Sequence, residues 1–125
     1  MEELKEFHKR KYLNLETFRK DGDGVKTPVW FVQDGDRFYV KTMSDSGKVK
    51  RIHRNGNVNI AVCRMDGSLI GRWMPAEACE ITDAELDRHV DRLLARKYGI
   101  MKRIFDRQTR KEEARQTILE IKKLD

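Results

Sequence analysis

The chain is poor in the residues and patterns that announce many functions, and each scarcity closes a possibility. No run of about 18 apolar residues occurs, so no membrane-spanning helix is predicted. The opening MEELKEFHKRKY has no apolar stretch of the kind that forms a signal peptide. A soluble, cytoplasmic protein with no membrane partner is expected. There are two cysteines and three histidines in 125 residues. Cys63 and Cys79 form no Cys-x-x-Cys pair and have no histidine at ligand spacing, so no metal site is expected. Both lie in apolar segments and read as buried free thiols. His8, His53 and His89 are scattered, which leaves no Ser-His-Asp or Cys-His arrangement to argue and the catalytic residues unknown.

Two short motifs fail on inspection. DGDGV (Asp21 to Val25) starts like a calcium loop, but Val25 and Val32 stand where oxygen ligands belong, so it reads as a hairpin turn. SGKV (Ser46 to Val49) is no phosphate-binding P-loop. Thr42 occupies the position of its first glycine, and Val49 follows Lys48 in place of Ser or Thr.

What the chain does have is charge. Lys and Arg number 27 against 21 Asp and Glu, a net +6. Much of the excess falls between Thr42 and Asn57, where Lys48, Lys50, Arg51 and Arg54, His53 when protonated, and Lys41 just before them face a single acid, Asp45. A basic field of this size favours anionic partners without naming one. The length fits one domain over residues 1–125 with a small core.

The apolar pattern predicts a mainly β chain. EELKEFHKR suggests a short helix with Leu4 and Phe7 inward. LETFR, VKTPVWFVQ and RFYVKT read as three strands joined by the turns KDGDG and DGD. The middle strand is apolar on both faces, and Pro28 within it cannot donate a ladder hydrogen bond. SGKVKRIHRN reads as a short helix with Val49, Ile52 and His53 inward. NVNIAVC is a strand, and LIGRWMPAEACEI a long one bulged at Gly71 or Pro75. Thr82-Asp-Ala-Glu85 is a capping box ahead of the stripe Leu86, Val90, Leu93, Leu94 and Tyr98, which Gly99 stops. A second box, Thr109 to Glu112, opens a last helix carrying Ala114, Ile118, Ile121 and Leu124. The fold class is therefore α+β with a mostly antiparallel sheet closed into a small barrel.

Ser46 as a helix cap would aim the first amides of that helix outward at Gly47, which admits a ligand close to the backbone. Lys48 and Arg51 share the adjacent face. The residues alone leave a bound phosphate, nucleic acid and plain solvation all open. Nucleic acid is disfavoured because no aromatic side chains interleave with the basic ones.

TPVWF (Thr27 to Phe31), the strand ending at Thr42, SGKVKR (Ser46 to Arg51), NVNIAVC, GRWMPAEA (Gly71 to Ala78) and KYG occur in an order that resembles the pyridoxamine 5'-phosphate oxidase-like split-barrel superfamily. The closer resemblance is to its branch of small proteins that use the deazaflavin coenzyme F420. It covers about residues 12–99. It implies a six-stranded antiparallel split β-barrel of FMN-binding type at about 12–82, with a short helix after the third strand and C-terminal helices at about 83–124. It also implies a homodimer holding the cofactor at its interface. By that resemblance Thr27, Pro28, Val29 and Trp30 lie along the tricyclic ring, Thr42, Ser46, Gly47 and Lys48 hold the phosphate, and Arg51 assists. The implied function is an oxidoreductase that transfers hydride to or from a small unsaturated organic substrate. FMN as cofactor, or a cofactor carrier without turnover, are the alternatives. The resemblance ends before MKRIFDRQTRK, which reads as a solvated approach to the last helix.

Overall fold

The computed structural model describes residues 2–109 and 116–124. A 3-10 helix, Glu2–Phe7, precedes seven strands: β1 (Tyr12–Phe18), β2 (Gly24–Val29), β3 (Val32–Asp34), β4 (Arg37–Met43), β5 (Asn57–Cys63), β6 (Met74–Ile81) and β7 (Gln116–Lys123). Helix α1 (Gly47–Arg54) links β4 to β5, while α2 (Ala84–Tyr98) and α3 (Ile100–Thr109) lie between β6 and β7. All strand pairs are antiparallel, in the order β2-β1-β5-β6-β7-β4-β3.

That order forces the sheet to curl. Laid flat, its edge strands would stand roughly 29 Å apart, six spacings of about 4.8 Å. Yet β2 and β3 are successive in the chain, and only Trp30 and Phe31 separate them, a link of roughly 10 Å at full extension. The edges must therefore meet at one corner, which makes a barrel split between β2 and β4. The expected run VKTPVWFVQ breaks at this corner into β2 and β3, and with β7 as a further strand the sheet has seven where six were expected. The break has a physical cause in Tyr98, at the end of α2. The Phe31 amide donates to the Tyr98 hydroxyl at 3.0 Å, and that hydroxyl's proton is shared between the carbonyls of Lys11 (2.8 Å) and Phe31 (3.0 Å). The Phe31 polar groups thus find partners outside any ladder. Trp30 stacks on the Tyr98 ring at 4.3 Å.

Phe31 turns into the barrel core with Phe7, Phe38, Leu13, Leu15, Val40, Ile60, Leu119 and Ile121. Leu4 and Phe7 of the opening 3-10 helix are buried there as the sequence suggested, as are Val49 and Ile52 of α1. A second cluster lies outside the sheet, where Val90, Leu94 and Tyr98 of α2 cover Val32, Tyr39 and Ile118.

Several expectations need correction. Ile118 and Ile121, assigned to a last helix, are in β7, a central strand between β6 and β4. Leu119 and Ile121 face the barrel core and Ile118 faces α2, so the strand is apolar on both sides, and the three-residue spacing of Ile118 and Ile121 mimics a helix. Most of the second capping box, residues 110–112, and Ala114 lie outside the described residues. The segment after Gly99, expected as a solvated approach to the last helix, is itself helix α3. Asp83, not Thr82, caps α2, accepting from the amides of Glu85 and Leu86. β6 starts at Met74, and of the stretch before it Leu69 alone bridges to Cys63. His53 points outward, reaching Glu80 at 2.5 Å. Cys63 is buried, but Cys79 is exposed, because outward positions of β6 alternate with the buried Ala76 and Ala78.

Replacing Tyr98 with Phe should cost about 2–3 kcal/mol, because it strands the buried Phe31 amide while preserving the ring stack. Denaturant unfolding with an unchanged m-value reads this directly. Beside the same corner, Lys97 donates to the Phe31 carbonyl at 2.8 Å and sits over the Phe31 ring. Burial, with a smaller push from Lys11, lowers its pKa to about 8. Between about pH 8 and 10.5 the unfolded chain then holds a proton on Lys97 that the folded chain has lost, so its contribution to stability rises with pH across that window. Subtracting the stability profile of Lys97→Met from that of the parent should show this rise; a flat difference would refute it.

Candidate functional site

A cavity of about 400 Å³ opens at the split of the barrel. Its walls come from β2 (Pro28 and Val29), the corner (Trp30), β4 (Lys41 and Thr42), α1 (Lys48) and the start of β7 (Gln116), with Tyr12 of β1. Helix α2 adds Asp91 and Leu94, and α3 adds Lys102 and Asp106. Small-molecule sites span roughly 300–1,000 Å³, so the volume is sufficient for a ring system.

Of the nine positions singled out from sequence, Pro28, Val29, Trp30, Thr42 and Lys48 line this cavity together. They come from three separate segments, 28–30, β4 and α1. Thr27, Ser46, Gly47 and Arg51 are not in its wall. Thr27 pairs with Leu15 in the β1–β2 ladder. Ser46, Gly47 and Arg51 instead form the mouth of α1 beside Lys48.

That mouth presents unmet hydrogen-bond donors beside positive charge. Ser46 is the N-cap residue of α1 in extended geometry, yet its hydroxyl makes no capping bond. The Ser46 Oγ is buried with no hydrogen-bond partner. An unmet buried hydroxyl beside free first-turn amides is a costly arrangement unless something else meets it. Arg51 folds back over the turn, its Nε donating to Thr17 Oγ1 at 2.6 Å. A Cβ at Gly47 would come within 2.7 Å of the Arg51 guanidinium, so glycine leaves room for that fold.

The two cavity lysines on β4 and α1 differ in environment. Burial lowers the Lys48 pKa, and Arg51 lowers it further. Arg51 is itself lowered by burial and by Arg19 and Arg54. No carboxylate answers Lys48 or Arg51 among the described residues. A bound dianion would offset this repulsion and favour the charged form of both. Lys41 is opposite in character. Burial pulls its pKa down, but the carboxylates of Asp91 (2.8 Å) and Asp87 (3.3 Å) outweigh that and raise it. Lys102 follows, 3.9 Å from Asp91 and 2.6 Å from Asp106. Five alternating charges thus run along the α2–α3 wall.

Sequence reasoning missed that wall. The signal available was the i,i+4 spacing of Asp87 with Asp91 and of Lys102 with Asp106, which marks a polar helix edge but not what it faces. Among the described residues no group of three His, Cys, Asp or Glu side chains could hold a metal ion, and no helix there is long and apolar enough to cross a membrane.

The sequence pattern of the pyridoxamine 5'-phosphate oxidase family matches residues 1–123. No curated protein matches the chain significantly. Among solved structures, the chain is similar to an F420 reductase, at 17% identity and a TM-score of 0.63, covering 97% of this chain and 93% of the other. An FAD-binding protein from Mesorhizobium loti shares 18% identity with a TM-score of 0.66 over 99% and 87% of the two chains. HutZ, the heme storage protein of Vibrio cholerae, shares 20% identity with a TM-score of 0.71 over 99% and 89%. At these identities the likeness is one of fold.

Because the Ser46 hydroxyl makes no cap, Ser46→Ala should change the stability of the ligand-free protein by less than about 0.5 kcal/mol, where an ordinary N-cap serine loses ~1 kcal/mol. Thermal unfolding measures this. A full capping loss would mean that the hydroxyl serves the helix and not a ligand.

Proposed function

The chain belongs to the pyridoxamine 5'-phosphate oxidase family, and from that premise we propose that it is an oxidoreductase using coenzyme F420 to transfer hydride to or from a small unsaturated organic substrate. One observation carries the reading: Pro28, Val29, Trp30, Thr42 and Lys48 wall one cavity, and the unpartnered Ser46 hydroxyl and uncompensated Arg51 lie at the helix mouth next to Lys48. These residues fit a flat ring carrying a phosphate. When bound, the coenzyme would supply the hydride chemistry, and the protein supplies binding, orientation and electrostatics.

Each residue then has a part. Lys48, Ser46, the amide of Gly47 and Thr42 hold the phosphate, with Arg51 adding charge. Pro28 sits on an edge strand and carries no amide proton, so the strand meets the seam with carbonyl acceptors, suited to ring N–H donors. Trp30, fixed by its stack on Tyr98, walls the ring and excludes water. Lys41 stays protonated between two aspartates and keeps a positive charge where electron density builds on the substrate. A cytoplasmic homodimer, with the second copy completing the groove, belongs to the same reading.

The order of motifs in the sequence supports the deazaflavin over FMN. A cofactor carrier without turnover is the second reading. It is favoured by the mutual neutralisation of Lys41, Asp91, Lys102 and Asp106, and one protein of similar fold is described as a heme storage protein.

Absorbance and fluorescence titrations with coenzyme F420 and with FMN test the proposal. Saturable F420 binding well below the FMN range, followed by turnover of an enone or quinone, is the expected result. Tight binding with no turnover across such a panel would favour the carrier, and FMN preference would replace the coenzyme. Lys48→Ala should weaken binding about 10- to 100-fold, as loss of a charge-assisted contact does. An unchanged affinity in a folded variant would sink the phosphate assignment.

A further inference from the structure

Tyr12 was not among the positions singled out from sequence, yet it stands in the wall of the cavity with Pro28 and Trp30. It is the first residue of β1 and pairs with Cys63 of β5. Leu13 after it pairs with Val29 of β2. The carbonyl of Lys11 before it accepts a hydrogen bond from Tyr98 at 2.8 Å. The backbone on both sides of Tyr12 is therefore pinned, and its side chain reaches the seam from a fixed strand.

Two phenols meet near this corner, and they differ. Burial pushes the pKa of Tyr98 up and the nearby Tyr12 adds to the push. Tyr98 uses its hydroxyl for the fold, accepting from one amide and sharing its proton between two carbonyls. Tyr12 is half-buried, and its hydroxyl makes no hydrogen bond to any described residue. The other polar groups of the wall are engaged or unsuited. Lys41, Asp91, Lys102 and Asp106 answer one another. Lys48 and Thr42 belong to the phosphate end, and Gln116 is an amide with no proton to transfer. Among the described lining residues Tyr12 is left with a free, transferable proton.

We propose that Tyr12 is the proton donor of the reaction, hydrogen-bonded to the carbonyl oxygen of an α,β-unsaturated ketone or aldehyde. The inference rests on the oxidoreductase reading and names its substrate class. Hydride from the reduced coenzyme forms a C–H bond at the β-carbon, the C=C pair moves one bond toward the carbonyl, and the oxygen takes up the carbonyl π pair. The Tyr12 O–H bond breaks as its proton passes to that oxygen. Water in the open cavity returns a proton to the phenolate, and the enol reverts to the saturated carbonyl compound. A phenol holds an enolate oxygen more strongly than a neutral carbonyl oxygen, so the contact favours the transition state. Lys41, with Asp91 at 2.8 Å and Asp87 at 3.3 Å, supplies charge and keeps its own proton.

Tyr12→Phe removes the hydroxyl and leaves the ring. In infrared difference spectra of the coenzyme-free protein saturated with acetophenone, isotope-labelled at the carbonyl carbon, the carbonyl stretch should lie lower in the parent than in Tyr12→Phe, the mark of a lost hydrogen bond. In the F420-loaded protein, kcat for cyclohexenone should fall about 100-fold in the variant, as loss of a general acid does, with KM changed less than about threefold. Equal carbonyl frequencies, or no binding of acetophenone, overturn the hydrogen bond, and equal kcat values overturn the proton transfer. The infrared measurement uses no coenzyme. Absence of F420 binding therefore defeats the oxidoreductase reading while the carbonyl frequency still decides on Tyr12, and turnover with equal kcat values removes Tyr12 while that reading stands. If Tyr12→Phe does not fold, Tyr12→Met, which also lacks the hydroxyl, takes its place in both measurements.

Discussion

The architecture turns on one hydroxyl. Tyr98 takes the Phe31 amide and shares its own proton with the carbonyls of Phe31 and Lys11, and in doing so it allows the two edge strands of the sheet to meet within two residues. Without a partner there, the polar groups of Phe31 would be buried unmet or drawn into a straight strand. The corner would then open. Because the corner is pinned, the sheet curls, the seam between β2 and β4 stays unzipped, and the cavity forms in that seam. Trp30 stacks on the same tyrosine, so the element that shapes the barrel also orients a wall of the site.

The electrostatics of the seam divide along its length. At the α1 mouth, Lys48 and Arg51 are partly buried beside other cations and their pKa values fall. At the α2 wall, Lys41 is also partly buried, but aspartates flank it and its pKa rises. The same side-chain type is thus left waiting for an anion in one place and fully answered in the other. An anion gains most where the protein has left charge uncompensated, and among the described residues that is the α1 mouth, which is why the proposed function puts the phosphate there.

How much of this was legible in the sequence depended on how local each signal was. The α1 segment declared itself through a polar cap, a glycine and basic residues in one turn, and Pro28 marked a gap in the ladder because it lacks an amide proton. The stripe of α2 was equally plain. The break at Trp30–Phe31 was not, since VKTPVWFVQ is continuous in β propensity and its partner, Tyr98, is 67 residues away. β7 was misread because a strand buried on both faces loses the alternation that distinguishes it from a helix. Asp91, Lys102 and Asp106 look like solvated helix charges until the topology brings their helices over the seam. The fold family could be read from the order of motifs, but the far wall of the site could not.

That far wall reflects a limit of composition. Apolar and charged residues each make up 38% of the chain, and the apolar ones are drawn into two clusters, inside the barrel and under α2. Ile100, Met101 and Ile104 of α3 stay exposed, and of its described side chains Lys102 reaches Asp91 on α2. An ion pair at a water-accessible edge exchanges one polar environment for another, so its net contribution is small, whereas an apolar seam of the same length would bind more firmly. What such pairs do supply is polarity: with Asp91, Lys102 and Asp106 in its lining, the cavity keeps a charged wall beside the apolar one of Val29 and Trp30.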